Sequence, residues 1–186
     1  MGLDGVYISG FFTDEDKPYL DMYADSLRRQ NIPFYVRNLK GAMLQSAFDF
    51  ADFDVIAVGY TVLKEFLLNG GYDFTKFFFV RLWKFVTKDR ERTHSIPFTV
   101  GIEGIPTENG PETIKCKIDG NLTDEQKDRV IEKAFALANK VENHQYQLLK
   151  NKYTVLEGHL LRYNLNRESF EEIDIEEEIR KKTQEG

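Results

Sequence analysis

Two hydrophobic periods alternate along the first part of the chain. Val6-Tyr7-Ile8-Ser9-Gly10 and Ile32-Pro33-Phe34-Tyr35-Val36 are short apolar runs of strand type, and between them Tyr19, Leu20, Tyr23 and Leu27 recur at spacings of three and four. That spacing is the period of a helix with one buried face. Thr13 precedes the helix with an acid, Asp16, three residues on, the capping-box arrangement of a helix start. Arg28-Arg29 near its end suit the negative end of the helix dipole, and Asn31 tolerates a left-handed cap. Strand, helix, strand predicts a βαβ unit, with parallel pairing and a right-handed crossover.

The pattern then continues in the same style. Ala42 to Ala51 reads as a short helix, and Asp54-Val55-Ile56-Ala57-Val58-Gly59 is a continuous apolar run of the kind a central strand shows when both of its faces are covered. Tyr60 to Leu68 reads as a helix closed by Asn69-Gly70-Gly71. From Phe74 to about Lys88 the apolar residues run nearly all round a helix, leaving mainly Lys76, Arg81 and Lys84 for water. Such a helix is buried in the core or covered by a partner, and the ring-rich stretch Phe77 to Phe85 is the candidate contact for a homo-oligomer. Lys88 to Arg92 is a charged, solvated segment.

Ile96 to Ile102 is a strand, and Glu112 to Ile118 alternates, with Ile114, Cys116 and Ile118 on one face and Lys115 and Lys117 on the other. The link between them, broken by prolines and glycines, is too short for a crossover helix, so the two predict an antiparallel hairpin at a sheet edge. After a turn at Gly120-Asn121, Thr123 with Gln126 forms a second capping box before an apolar face at Val130, Ile131, Ala134, Phe135, Leu137, Ala138 and Val141. This helix is expected to run on through Gln145 to Leu149. A last apolar segment spans Tyr153 to Leu165. From Arg167 the acids Glu171-Glu172 and Glu176-Glu177-Glu178, with interleaved isoleucines, read as a solvated terminal helix or tail with room for a protein partner. These elements predict an α/β domain over residues 1–151 and a helical extension with an acidic tail over 152–186.

Composition narrows the function classes. A chain of 186 residues with 41% hydrophobic content builds one real core. The net charge of −6 argues against nucleic acid as the main partner, because phosphate binding needs a basic surface. A single cysteine, Cys116, excludes an intrachain disulfide and a thiolate metal cluster. The absence of a leader pattern and of any run long enough for a bilayer points to a cytoplasmic home, off the membrane.

No catalytic signature is complete. There is no phosphate-binding P-loop or dinucleotide glycine fingerprint, no paired histidine for zinc and no nucleophile elbow. If a ligand binds, it is expected at the carboxyl ends of the parallel strands. That places Ser9, Gly10, Phe11, Asn38, Gly59, Tyr60 and Glu65 around one crevice. Ser9-Gly10 and Gly59-Tyr60 would let a nucleotide approach the backbone, and Phe11 or Tyr60 would stack on a base. Plain loop geometry accounts equally well for both glycines.

Val6-Tyr7-Ile8-Ser9, then Asp14-Glu15-Asp16-Lys17, Ala24, Leu27, and Ile32 to Val36 resemble the opening of Toll/interleukin-receptor (TIR) domains. Phe50 to Val58 resembles that family's third strand. The resemblance covers roughly the first 70 residues. It implies a flavodoxin-like or Rossmann-like, mostly parallel sheet, with the hairpin at one edge and helices at the C-terminus. It also implies either assembly through the loop at Asn38 to Gly41, in a signalling role, or NAD cleavage by a Glu after the third strand, for which Glu65 is the candidate. A carboxylate beside the nicotinamide ribose stabilises an oxocarbenium-like transition state. NAD would then be substrate or ligand, with no resident cofactor or metal required. The family's small residues and Trp before that Glu are missing here, and Glu65 lies nearer the strand than the family places it, so a solvent-facing helix carboxylate is the competing reading. The 96–118 hairpin also departs from the family pattern.

Two alternatives stand beside this. The opening is similar to the start of a GT-A glycosyltransferase, with Asp52-Phe53-Asp54 as an Asp-x-Asp for a metal and a nucleotide sugar, although that motif precedes its strand. The other alternative is a non-catalytic interaction or oligomerisation module using the aromatic helix and the acidic C-terminal segment.

Overall fold

A computed structural model describes residues 3–39, 56–87, 98–118, 122–150, 154 and 158–184. In chain order these form β1 (Val6–Gly10), a 3-10 turn (Asp14–Asp16), α1 (Lys17–Arg28), β2 (Phe34–Asn38), β3 (Ile56–Gly59), α2 (Tyr60–Thr87), β4 (Phe98–Ile105), β5 (Glu112–Ile118), α3 (Asp124–Glu142), β6 (His159–Asn164), β7 (Ser169–Glu172) and α4 (Ile175–Gln184). The short helix expected over 42–51, Asp52-Phe53-Asp54, most of the loop after Asn38, the charged segment at 88–92 and the Gly120-Asn121 turn lie outside the described residues.

Seven strands form one sheet in the order β2-β1-β3-β4-β5-β6-β7. The βαβ opening is as expected: β1 pairs parallel with β2, Val6 opposite Phe34 and Gly10 opposite Asn38. The hairpin is also as expected, with β4 antiparallel to β5. The mostly parallel sheet is not. β1 and β3 are antiparallel, Val6 opposite Val58, whereas β3–β4 and β5–β6 are parallel and β6–β7 antiparallel. The sheet is therefore mixed, and the 96–118 hairpin lies inside it rather than at an edge. A buried apolar run reads alike in either direction, so strand direction was not legible in the Ile56–Gly59 pattern.

The registers put one face of the sheet in a single line: Ile8, Ile56, Val100, Cys116 and Leu161 run across it side by side, all essentially buried. Trp83 of α2 stacks on Phe98 at 4.2 Å between ring centroids and 5° between planes, and Phe79 of α2 meets Phe135 of α3 edge-on at 5.4 Å. α1 joins the same layer through Tyr23, which contacts Phe78 and Phe85. Each such ring pair adds about 0.5–1.5 kcal/mol beyond its area burial. In α1, Tyr23 and Leu27 are buried as the period requires, but Tyr19 is exposed.

The Asn69-Gly70-Gly71 stop is real: α2 breaks at Gly71, whose φ of 74° and ψ of 165° lie in a region essentially reserved for glycine. Phe66 before the break reaches Phe78 and Phe79 after it, at 5.3 and 5.9 Å. A straight helix would hold residues twelve apart about 18 Å from each other, so the two halves fold back on one another. The aromatic half is mostly core, with Phe78, Phe79, Leu82 and Trp83 buried and Phe74 and Phe77 exposed.

Two expectations for the C-terminal part are corrected. α3 ends at Glu142, with His144 at a φ of 57°, and does not continue to Leu149. The helical reading of 152–186 fails between His159 and Glu172, where the chain forms β6 and β7 of the same sheet. Only α4 matches the expected terminal helix.

Candidate functional site

The inversion of β3 decides where the sequence-nominated residues lie. β1 and β2 run one way and β3 and β4 the other. Ser9, Gly10, Phe11 and Asn38 therefore gather at one end of the sheet, and Gly59, Tyr60 and Glu65 start at the opposite end, about 13 Å along β1 at ~3.3 Å per residue. The single crevice expected from parallel strands does not form from these seven residues.

At the first end the groups are used internally. The Asn38 side chain donates to the Phe12 carbonyl at 2.9 Å and accepts from the Phe12 amide at 3.2 Å. A Cβ on Gly10 would sit 2.9 Å from the Phe12 ring and 3.2 Å from Val86, so this glycine answers to packing. Ser9 is buried, and Phe11 is exposed.

At the other end the chain builds two clefts around the β4–β5 turn. The larger, about 480 Å³, opens at the carboxyl ends of β3 and β4 and is lined by Asp4, Asn31, Tyr60, Glu65, Glu103 and Pro111 among others. Gly59 pairs with Glu103, and a Cβ on Gly59 would fall 1.7 Å from the Leu3 carbonyl oxygen, so glycine here lets residues 3–5 close the cleft wall. Asp4 accepts a hydrogen bond from the Tyr35 hydroxyl at 3.0 Å. Glu65 is exposed on the first turns of α2, one turn beyond Thr61, and has no partner among the described residues. The described lining contains three carboxylates and no Lys or Arg.

Beside this cleft, Tyr60 donates to Glu142 at 2.7 Å and Lys64 donates to the other oxygen of the same carboxylate at 2.8 Å. The Lys64 ammonium also stands 5.5 Å from the centroid of the Tyr60 ring, within cation–π range. Burial, then the bond to Glu142, pushes the Tyr60 hydroxyl far above the ordinary phenol value. The bonds from Lys64 and Tyr60 hold Glu142 below the usual carboxylate value.

The second cleft, about 290 Å³, lies on the other side of the turn and is lined by Thr107, Glu108, Glu112, His144, Tyr146 and Lys150 among others. Behind it is a group that sequence reasoning passed over. His159, 1% exposed, has Nδ1 2.9 Å from Glu172 and Nε2 3.1 Å from Glu112. Glu172 also accepts from the Leu149 amide at 2.9 Å. Glu172, expected among the solvated acids, is instead turned inward. Burial lowers the imidazole pKa, but the hydrogen bonds and charges of Glu172 and Glu112 together outweigh it and leave the pKa above 6.5. The three groups do not form a candidate metal-binding set, and none exists among the described residues. The available signal was the alternation His159, Leu161, Tyr163, which marks a strand; the carboxylate partners lie 13 and 47 residues away and leave no local spacing.

No helix among the described residues is long and apolar enough to cross a membrane. Comparison with known proteins gives no matching family model, no matching curated protein and no matching solved structure.

Proposed function

We propose that this chain is a ligand-binding α/β domain that takes a small organic cation in the Glu65 cleft. The observation that carries the reading is the wall of Asp4, Glu65 and Glu103 with no described Lys or Arg in it. A cleft lined by one sign of charge concentrates ligands of the other sign. The location, outside the carboxyl ends of a parallel strand pair, is where α/β sheets hold ligands.

NAD processing, the activity the TIR resemblance implies, attaches to the same carboxylate in a restricted form. The nicotinamide riboside half of NAD is cationic and suits this wall, whereas the diphosphate is repelled by it. Glu65 would stabilise the oxocarbenium-like state as the ribose–nitrogen bond breaks, the bond's electron pair leaving with neutral nicotinamide, and water would add at the ribose carbon, giving up a proton to Glu65 and then to solvent. Incubation with nicotinamide riboside and, separately, with NAD, followed by proton NMR, tests both levels. Binding-induced broadening of the riboside lines, weakened in Glu65→Gln, supports the cation site, and growth of free nicotinamide supports the chemistry. Stronger effects from NAD than from the riboside would overturn the acidic-cleft reading.

The interaction-module alternative keeps one observation in its favour. Phe74 and Phe77 are 47% and 56% exposed on the aromatic half of α2, next to the buried Phe78 and Phe79. Self-association through that half is tested by sizing wild type against Phe77→Asp. A dimer that becomes a monomer supports it, and a wild-type monomer at every concentration removes it.

A further inference from the structure

His159 sits at the point where three separate stretches of chain meet. β6 begins with it, Glu112 begins β5 and Glu172 ends β7. Glu172 also holds the Leu149 amide in the segment after α3. A neutral imidazole has one N–H and one lone pair; only the doubly protonated ring donates from both nitrogens. With a carboxylate on each nitrogen at 2.9 and 3.1 Å, the observed geometry is that of an imidazolium. Remove one proton and one carboxylate faces a lone pair beside a ring that is 1% exposed, a repulsion that water reaches only through the partly exposed Glu112, since Glu172 is nearly buried.

The groups facing the ring are few. Glu112 comes from β5 and Glu172 from β7, with the Leu149 amide behind Glu172. Burial and then the Glu172 charge push the nearby Tyr146 hydroxyl upward. Lys150, His144 and Glu108 share the smaller cleft with Glu112, and His144 lies 3.9 Å from Glu108.

We propose that the Glu112–His159–Glu172 array is a proton-operated latch: it holds β6, β7 and the Leu149 segment against β5 while the imidazole carries both protons, and loosens that margin of the sheet when the second proton leaves. The latch acts on one side only. β1, β3 and β4 contain none of its members, whereas the β5–β6 and β6–β7 ladders are flanked by them. Loosening also frees Glu112 toward the smaller cleft, so the latch sets whether that cleft presents a paired or an unpaired carboxylate.

The test combines NMR titration of the His159 ring with amide hydrogen exchange at about pH 6 and about pH 9, on either side of the imidazole range, corrected for the intrinsic pH dependence of exchange. The expected result is a His159 midpoint above 6.5, with amides of β6, β7 and Leu149 losing protection at that midpoint while β1 and β3 keep theirs. Glu172→Gln is expected to lower both midpoints together, because its amide accepts from Leu149 and donates to a neutral ring. Glu112→Gln makes the same test where Glu172→Gln does not fold. A His159 midpoint at or below 6.5, protection that does not change as the ring titrates, or a loss spread evenly over all seven strands overturns the proposal.

Discussion

The Tyr60 hydroxyl donates to Glu142 at 2.7 Å, tying the first residue of α2 to the last residue of α3. Tyr60 is 4% exposed and lines the Glu65 cleft, so this bond fixes both a helix junction and a wall of the candidate site. Tyr60→Phe keeps the ring and removes the donor. Glu142 retains Lys64 and partial access to water, which discounts the loss to about 1 kcal/mol. Denaturant titration should show that decrease with an unchanged slope.

The same carboxylate gives an acid dependence of known sign. Glu142 has its pKa lowered by Lys64 first and Tyr60 second. A group depressed in the folded state contributes stability above its unfolded value of about 4.5, and that contribution disappears as pH falls through the folded value. Lys64→Met should flatten the acid limb of a stability-against-pH curve relative to wild type. His159 works in the opposite direction: its pKa is raised, so its contribution is complete below 6.5 and is lost as pH rises through the folded value. His159→Gln should flatten the alkaline limb relative to wild type.

Local grammar was readable in this chain, and relative placement was not. The Thr13–Asp16 start, the left-handed Asn31, the Gly71 break and the Thr123–Gln126 capping box all appear where the residues predict them, because each is set by neighbours within a few positions. The direction of β3 depends on how the chain returns from β2, and nothing within Ile56 to Gly59 encodes it. β6 was present in the alternation of His159, Leu161 and Tyr163, followed by the turn at Leu165 to Glu168. The acids that follow outweighed that signal, although one of them, Glu172, is the partner that buries His159. Of the nominated site residues, Tyr60 and Glu65 line a cleft and Gly59 shapes it. Ser9, Gly10, Phe11 and Asn38 stand at the other end.

The two glycines that matter most make separable predictions. Gly71→Ala meets nothing within 4 Å, yet its φ of 74° and ψ of 165° are closed to an L side chain, so it should cost about 2 kcal/mol, roughly 4–8 °C in Tm for a chain of this size. Calorimetry checks it. No loss of Tm would mean that the two halves of α2 are not held at this angle.

Gly59→Ala fails for the other reason. Its Cβ would stand 1.7 Å from the Leu3 carbonyl, so residues 3–5 must move. The expected cost is about 1–3 kcal/mol, together with displacement of Asp4 from the cleft wall. The Tyr35–Asp4 hydrogen bond should break with it, and the Tyr35 hydroxyl, whose pKa that bond raises, should titrate lower in the variant, as followed by ultraviolet absorbance.

The most direct test of the central claim is a chemical-shift titration of isotope-labelled protein with nicotinamide riboside, repeated with NAD and with Glu65→Gln. The acidic-cleft account predicts shifts concentrated at Asp4, Tyr60 to Glu65 and Glu103-Gly104, larger for the riboside than for NAD and reduced in Glu65→Gln. Shifts at Gly10 and Asn38 instead, a preference for NAD, or an unchanged response in Glu65→Gln would contradict it.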